Sequence, residues 1–227
     1  MLKALIVLTS HALLGTTGKP TGYYLSEAAH PYHELTKAGI EVEFASVKGG
    51  EAPVDPKSLD MKDAVNKEVW NSPEIRKKLK NTLRLSDIDP KSYQAIIFAG
   101  GHGTMWDFRG NKDVGRLIKN IYESNGVVAA VCHGPSSLVD VKLSNGKYLV
   151  EGKKVAAFTN KEEEAVELTE VMPYLLETEL KKQGAIFVGK DNWAENVQVS
   201  ERLVTGQNPA SASLVGKSVV KLLKERP

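Results

Sequence analysis

Five consecutive residues constrain this chain most. Val127-Val-Ala-Ala-Val131 carries no polar side chain, and it runs straight into Cys132-His133-Gly134-Pro135. A half-buried strand alternates apolar and polar residues. An unbroken apolar strand is what a parallel sheet covered on both faces requires. Parallel strands need long crossover connections, usually helices, and the chain supplies them. Strand-like segments at 2–8, 40–46, 93–98, 154–158, 185–188 and 202–205 alternate with helical periodicity at 22–38, 114–125, 173–183 and 210–224. In the first of these helices Tyr24, Leu25, Ala28, Tyr32 and Leu35 recur at three- and four-residue steps, and Gly39 stops it. The expected fold is α/β: a doubly wound, mostly parallel sheet sandwiched by helices. Residues 1–227 are expected to form a single domain. Residues 49–92, polar and holding Pro53, Pro56, Pro73 and Pro90, are expected to be a small inserted cap with short helices.

Composition narrows the partners. The chain has 30 basic against 28 acidic residues, a formal charge of +2, with lysines scattered among glutamates as on solvated helix faces. The basic block of a nucleic-acid binder is missing. No apolar run approaches the roughly 20 residues that span a bilayer. Neither nucleic acid nor membrane is therefore an expected partner. The apolar run at 4–8 is shorter than a signal-peptide core and reads as the first buried strand. One cysteine cannot form an internal disulfide, which fits a reducing, cytoplasmic location.

Ligand sites in open parallel sheets lie beyond the carboxyl ends of the strands, and two strand ends here are unusual. The first is the run into Cys132, followed by a short predicted helix over 136–139. This is the order of a nucleophile elbow, in which a sharp strand-to-helix turn holds the side chain out at the sheet edge. A helix N-terminus behind it would lower the thiol pKa and favour thiolate. A buried, inert cysteine is the competing reading. The second is Phe98-Ala-Gly-Gly-His-Gly-Thr-Met105. Its glycines bring backbone N–H groups close to a ligand, so the N–H of Gly101 could join that of His133 in an oxyanion hole. A plain glycine turn is the alternative. Neither GxxxxGK[ST] nor GxGxxG occurs. Glu27 sits among apolar or small residues on the first predicted helix. Facing inward it would have a raised pKa and could carry a proton; facing outward it is an ordinary surface carboxylate.

The segments AGGHGTMWDF, AAVCHGPSSL, FTNKEEEAV and VTGQNPASA together resemble the ThiJ/PfpI superfamily of the class I glutamine amidotransferase-like fold. Within it they resemble the heat-shock-chaperone branch containing glutathione-independent glyoxalase (glyoxalase III). The resemblance implies that Cys132 is the nucleophile and that Glu27 contacts its sulfur and moves protons. It implies that His133 belongs to the catalytic dyad or triad. The third, acidic member would fall within Glu162–Glu164, with spacing after Thr159 favouring Glu163. Gly101 and His133 N–H would form the oxyanion hole, and residues 208–211 would line the site. The implied substrate is a small 2-oxoaldehyde, methylglyoxal, converted to D-lactate in a stress-protective role, with no cofactor and a homodimeric assembly.

Rival functions are a holdase chaperone, a redox sensor built on a low-pKa Cys132, and a protein deglycase or cysteine hydrolase of the same superfamily. A true glutamine amidotransferase is disfavoured, because that class uses a late His-x-Glu and no histidine follows Val188. No metal site is expected. Of His11, His30, His33, His102 and His133, only His30 and His33 are close in sequence, without HExxH or a cysteine cluster.

Overall fold

The structure, a computed structural model, describes residues 2–225. The strands are β1 (Lys3–Leu8), β2 (Glu41–Ser46), β3 (Leu83–Arg84), β4 (Ala95–Phe98), β5 (Val127–Val131), β6 (Lys154–Val155), β7 (Ile186–Phe187), β8 (Val197–Ser200) and β9 (Leu203–Gly206). The helices are α1 (Leu25–Lys37), α2 (Ala64–Asn71), α3 (Pro73–Lys80), α4 (Thr104–Asp107), α5 (Lys112–Glu123), α6 (Asn160–Ala165), α7 (Leu176–Lys182) and α8 (Ala212–Lys224). Seven strands form one sheet in the order β3-β2-β1-β4-β5-β9-β8, parallel except for β8. From β1 the chain winds outward through β2 to β3, then returns to β4 and winds the other way. The order reverses between β1 and β4, and α/β sheets hold their ligands beside such a reversal.

The apolar run Val127–Val131 explains the layering. Successive side chains of a strand point to opposite faces. Val128 and Ala130 enter one core, with Leu5, Val7, Ile96 and Phe98 from the sheet. Helix α5 closes this core with Val114, Leu117, Ile118 and Ile121, one helical stripe. Val127, Ala129 and Val131 enter the other, beneath Leu25, Ala28, Ala29 and Leu35 of α1 and Val215, Val219 and Leu223 of α8. Every residue of β5 is therefore buried. Complete burial of one such valine is worth about 1.5–3 kcal/mol. Asn111 starts α5 by accepting from the N–H groups of Asp113 and Val114. Among the described residues no helix is long and apolar enough to cross a membrane.

Several elements differ from the sequence expectation. Residues 154–158 and 185–188 shrink to the two-residue strands β6 and β7, which pair only with each other in a separate parallel ribbon. Beyond β6 the backbone is diverted: Ala156 N–H donates to Thr205 Oγ1 (2.9 Å) and Phe158 N–H to the Cys132 carbonyl (2.8 Å). The segment after the elbow is a 3-10 turn, Gly134–Leu138. Strand β8, half exposed at the sheet edge, and the short α4 have no counterpart in the sequence reading. Residues 49–92 hold α2 and α3, and then β3, which extends the main sheet beside β2.

Candidate active site

Cys132 has φ of +62°, in the left-handed region that non-glycine residues rarely occupy. Such backbone costs about 1–3 kcal/mol and persists only where its surroundings fix it. Here the Cys132 N–H donates to the Gly206 carbonyl (2.9 Å), and its carbonyl accepts from Phe158 N–H. Thr104 Oγ1 donates to the His133 carbonyl (3.0 Å). Gly134 packs so tightly that a Cβ there would collide with the Phe98 carbonyl oxygen. The turn is thus clamped by β4, β9 and α4.

Four of the expected residues converge on this turn. Cys132 Sγ lies 3.4 Å from His133 Nδ1, and His133 Nε2 lies 2.6 Å from Glu163 Oε2. Burial pushes the Glu163 carboxyl up, but His133 and His102 outweigh it and hold the group at about 2. Glu163 is a carboxylate, so His133 must donate its Nε2–H to it. That leaves the Nδ1 lone pair facing the thiol. Burial, then the neighbouring His102, lowers the His133 pKa, so the resting imidazole is neutral.

Glu27 faces inward from the first turn of α1 and is fully buried. Gly100 N–H donates to its Oε2 (2.7 Å); its Oε1 has no other partner, and the carboxyl interacts with the Cys132 thiol. Burial pushes Glu27 up to about 8, so at pH 7 it is mostly a carboxylic acid. Burial, and then Glu27, also push the Cys132 thiol up, well above its ordinary range. This corrects the expectation of a resting thiolate. Cys132 is only 3% exposed, and a five-residue 3-10 turn stands where a helix dipole was expected.

The acidic run Glu162–Glu164 separates by environment. Glu163 reaches the histidines. Glu164 is exposed. Glu162 is fully buried, contrary to an ordinary solvated helix start. Its Oε2 accepts from Thr159 N–H and Oγ1, closing a capping box for α6, and its Oε1 accepts from Trp193 N–H and the side-chain amides of Gln207 and Asn208. One carboxylate thus ties three segments together beneath the site.

Gly101, at φ +107°, presses against the Gly22 carbonyl, and a Cβ would collide there. Among the described residues the Gly101 N–H donates to no backbone acceptor, and the His133 N–H is directed at the Cys132 sulfur. Cys132, Gly101, His102 and His133 open on a cavity of about 400 Å³. Asn208, Pro209 and Ala210 line it, whereas Ser211 is buried and accepts from Asn196 N–H. Sequence reasoning missed Tyr24, Trp193, Asp55 and Lys57 in the wall, and it missed His102, whose Nε2 lies 2.8 Å from Glu163 Oε1. The only signal for His102 was its place in GGHG.

His102, His133 and Glu163 present ligand atoms within 4.8 Å of one another, a spacing that three metal donors also use. Both Glu163 oxygens are already taken, one by each imidazole. His30 and His33 stand elsewhere and face Asp63 (2.9 Å) and Glu68 (3.6 Å).

A strained cysteine at the carboxyl end of a parallel sheet, backed by a histidine and a carboxylate, defines an α/β protein built around a nucleophile elbow. The chain belongs to the DJ-1/PfpI family, whose sequence profile matches residues 20–222. It is 34% identical over 235 residues to Glyoxalase 3 of Candida albicans, with 97% of this chain and 98% of that protein covered. It is 33% identical to a glutathione-independent glyoxalase of Saccharomyces cerevisiae, with 98% of each covered. Among solved structures, the Rapid Encystment Protein 24 KDa of Francisella tularensis superposes with a TM-score of 0.95 at 39% identity, over 98% of this chain and 99% of that one.

Proposed function

We propose that this protein is a glutathione-independent glyoxalase that converts methylglyoxal to D-lactate through a hemithioacetal on Cys132. The observation that carries this reading is the chain of contacts from Cys132 Sγ to His133 Nδ1 and from His133 Nε2 to Glu163, with a protonated Glu27 against the same sulfur. The two curated relatives named above, matched along nearly their whole length, support it.

The chemistry follows from the proton positions. His133 Nδ1 takes the thiol proton as the sulfur adds to the aldehyde carbon, C1. Glu163 stabilises the imidazolium that results. The developing oxyanion is received by the N–H of Gly101 and by that of His133, which rests against the Cys132 sulfur until the addition. The C1 hydrogen then leaves as a proton and returns to C2 through an enediol. Glu27 or His133 carries it; a carboxyl titrating near 8 gives and takes protons readily at neutral pH. The product is a lactoyl thioester, and water releases lactate and restores the thiol. No external thiol or cofactor enters the balance.

We further propose a cytoplasmic homodimer with two-fold symmetry, the commonest form of soluble oligomer, and one domain in which residues 49–92 cover the site. A redox-sensing role fits less well, since oxidation favours exposed, low-pKa thiols and Cys132 is neither. The test is incubation with methylglyoxal in the absence of glutathione, followed by a stereospecific lactate assay. D-lactate is expected from the native protein and none from Cys132→Ser. Equal turnover by that variant would remove the covalent route.

A further inference from the structure

The mechanism above leaves one group without a task. Isomerising the hemithioacetal moves one proton between carbons and a second between oxygens. As C1–O1 becomes the thioester carbonyl it sheds a proton, and as C2–O2 becomes the alcohol it gains one. C1 is oxidised and C2 reduced by the same internal shift, so the oxygen proton needs only a carrier. His133 is 1% exposed with its free nitrogen against sulfur, and Glu27 is wholly enclosed with its carboxyl against the same sulfur. Both groups are already engaged at the sulfur, and the shift between the two carbons occupies one of them.

We infer that His102 is a second catalytic imidazole, whose Nδ1 carries the proton between the two substrate oxygens. This inference rests on the glyoxalase reading. His102 directly follows Gly101, and both line the cavity on which Cys132 opens. The ring lines the cavity, and its side chain is 17% exposed. Its Nε2–H donates to the second oxygen of the Glu163 carboxylate, which frees the Nδ1 lone pair, and that atom has no partner among the described residues. Glu163 therefore sets the same tautomer on two imidazoles. One Nδ1 faces sulfur, and the other is left for substrate.

The remaining polar groups of the wall are less suited. Tyr24 is pushed up to about 12 by burial, and then by Glu27, and stays protonated. The Asp55 oxygens already accept from Thr21 Oγ1 and Lys57 N–H. Lys19 and Lys57 are cations with no lone pair to offer. The His102 and His133 rings lie 4.1 Å apart, centroid to centroid. After burial, the neighbouring His102 is one of the groups that keep His133 neutral at rest. That suits a relay in which His133 works on the thiol and His102 on the oxygens.

The test uses two variants of the full protein. His102→Gln keeps an N–H donor for Glu163 but cannot accept a proton. Its kcat should fall by about 10²-fold or more, with KM within a few-fold, while iodoacetamide alkylates Cys132 at the native rate. His102→Ala should lose activity that added imidazole partly and saturably restores. Native kcat in His102→Gln would overturn the inference alone. So would a loss matched by slower alkylation and no imidazole rescue, which would make His102 only a support for the triad. Native protein that makes no lactate would overturn the glyoxalase reading, and this inference with it.

Discussion

Glu27 is the residue whose position decides most. An enclosed acid group touching sulfur should be indispensable, whereas surface carboxylates are not. Glu27→Gln keeps the size of the side chain but cannot shuttle a proton, so kcat should fall by about 10²-fold or more. Glu74, 78% exposed on α3, provides the matched surface control, and Glu74→Gln should turn over normally. Glu34 would be a poor control, because it accepts from Ser213 Oγ and anchors α8 to α1. A second expectation follows from the enclosed thiol. The rate of Cys132 alkylation should keep climbing above pH 8, where an elbow thiolate would already have reached a plateau. Cys132 stood out because its signal is local, a strand running into a turn; one acid among small helical residues left Glu27 open between two orientations, and the side-chain role of His133 came only from the family resemblance. His102 was not legible, because the carboxylate that sets its tautomer lies 61 residues away.

Helix α6 is only six residues long, and its start is fixed by Thr159. Thr159→Ala removes the cap that holds the first turn, at a cost of about 1 kcal/mol. The same turn carries Glu163, so kcat should fall further than stability alone predicts, by up to about 10²-fold if the carboxylate shifts by an ångström. Unchanged kcat with a lowered unfolding midpoint would separate the cap from the triad. Gly134→Ala tests the elbow clamp; its Cβ meets the β4 backbone, which cannot step aside, so a loss of about 1–3 kcal/mol is expected in denaturant unfolding. At this scale β1, β4 and β5 were readable because burial on both sheet faces leaves an apolar run, and β2 because its residues alternate as in a half-buried strand. Residues 154–158 read the same way and proved otherwise. Only Lys154 and Val155 join a ladder, with β7; beyond them the buried Ala156 and Phe158 turn their N–H groups to Thr205 Oγ1 and the Cys132 carbonyl. Side-chain pattern reports burial, not ladder membership.

The whole fold bears the cost of the site. Below pH 4.5, the ordinary value for glutamate, both folded and unfolded chains hold Glu27 protonated. Between 4.5 and about 8 the unfolded chain releases that proton and the folded chain retains it, so this group lowers stability by up to about 1.4 kcal/mol per pH unit. Above about 8 the effect levels off. Glu163 acts in the opposite sense: its contribution is complete above 4.5 and is lost as pH falls towards about 2. The stability of Glu27→Gln relative to the native protein should therefore rise steadily from pH 5 to pH 8 in parallel urea titrations. A constant difference would contradict an enclosed acid. Another consequence lies at the cavity mouth. Trp193, half exposed, forms part of the wall, and its ring centroid is 5.8 Å from that of Phe158. The chain has two other tryptophans: Trp106, stacked on His11, and Trp70, covered by the Arg76 guanidinium. With those two changed to phenylalanine, the protein carries a single native fluorophore at its own entrance. Stopped-flow emission would then time the arrival and departure of ligands without any label.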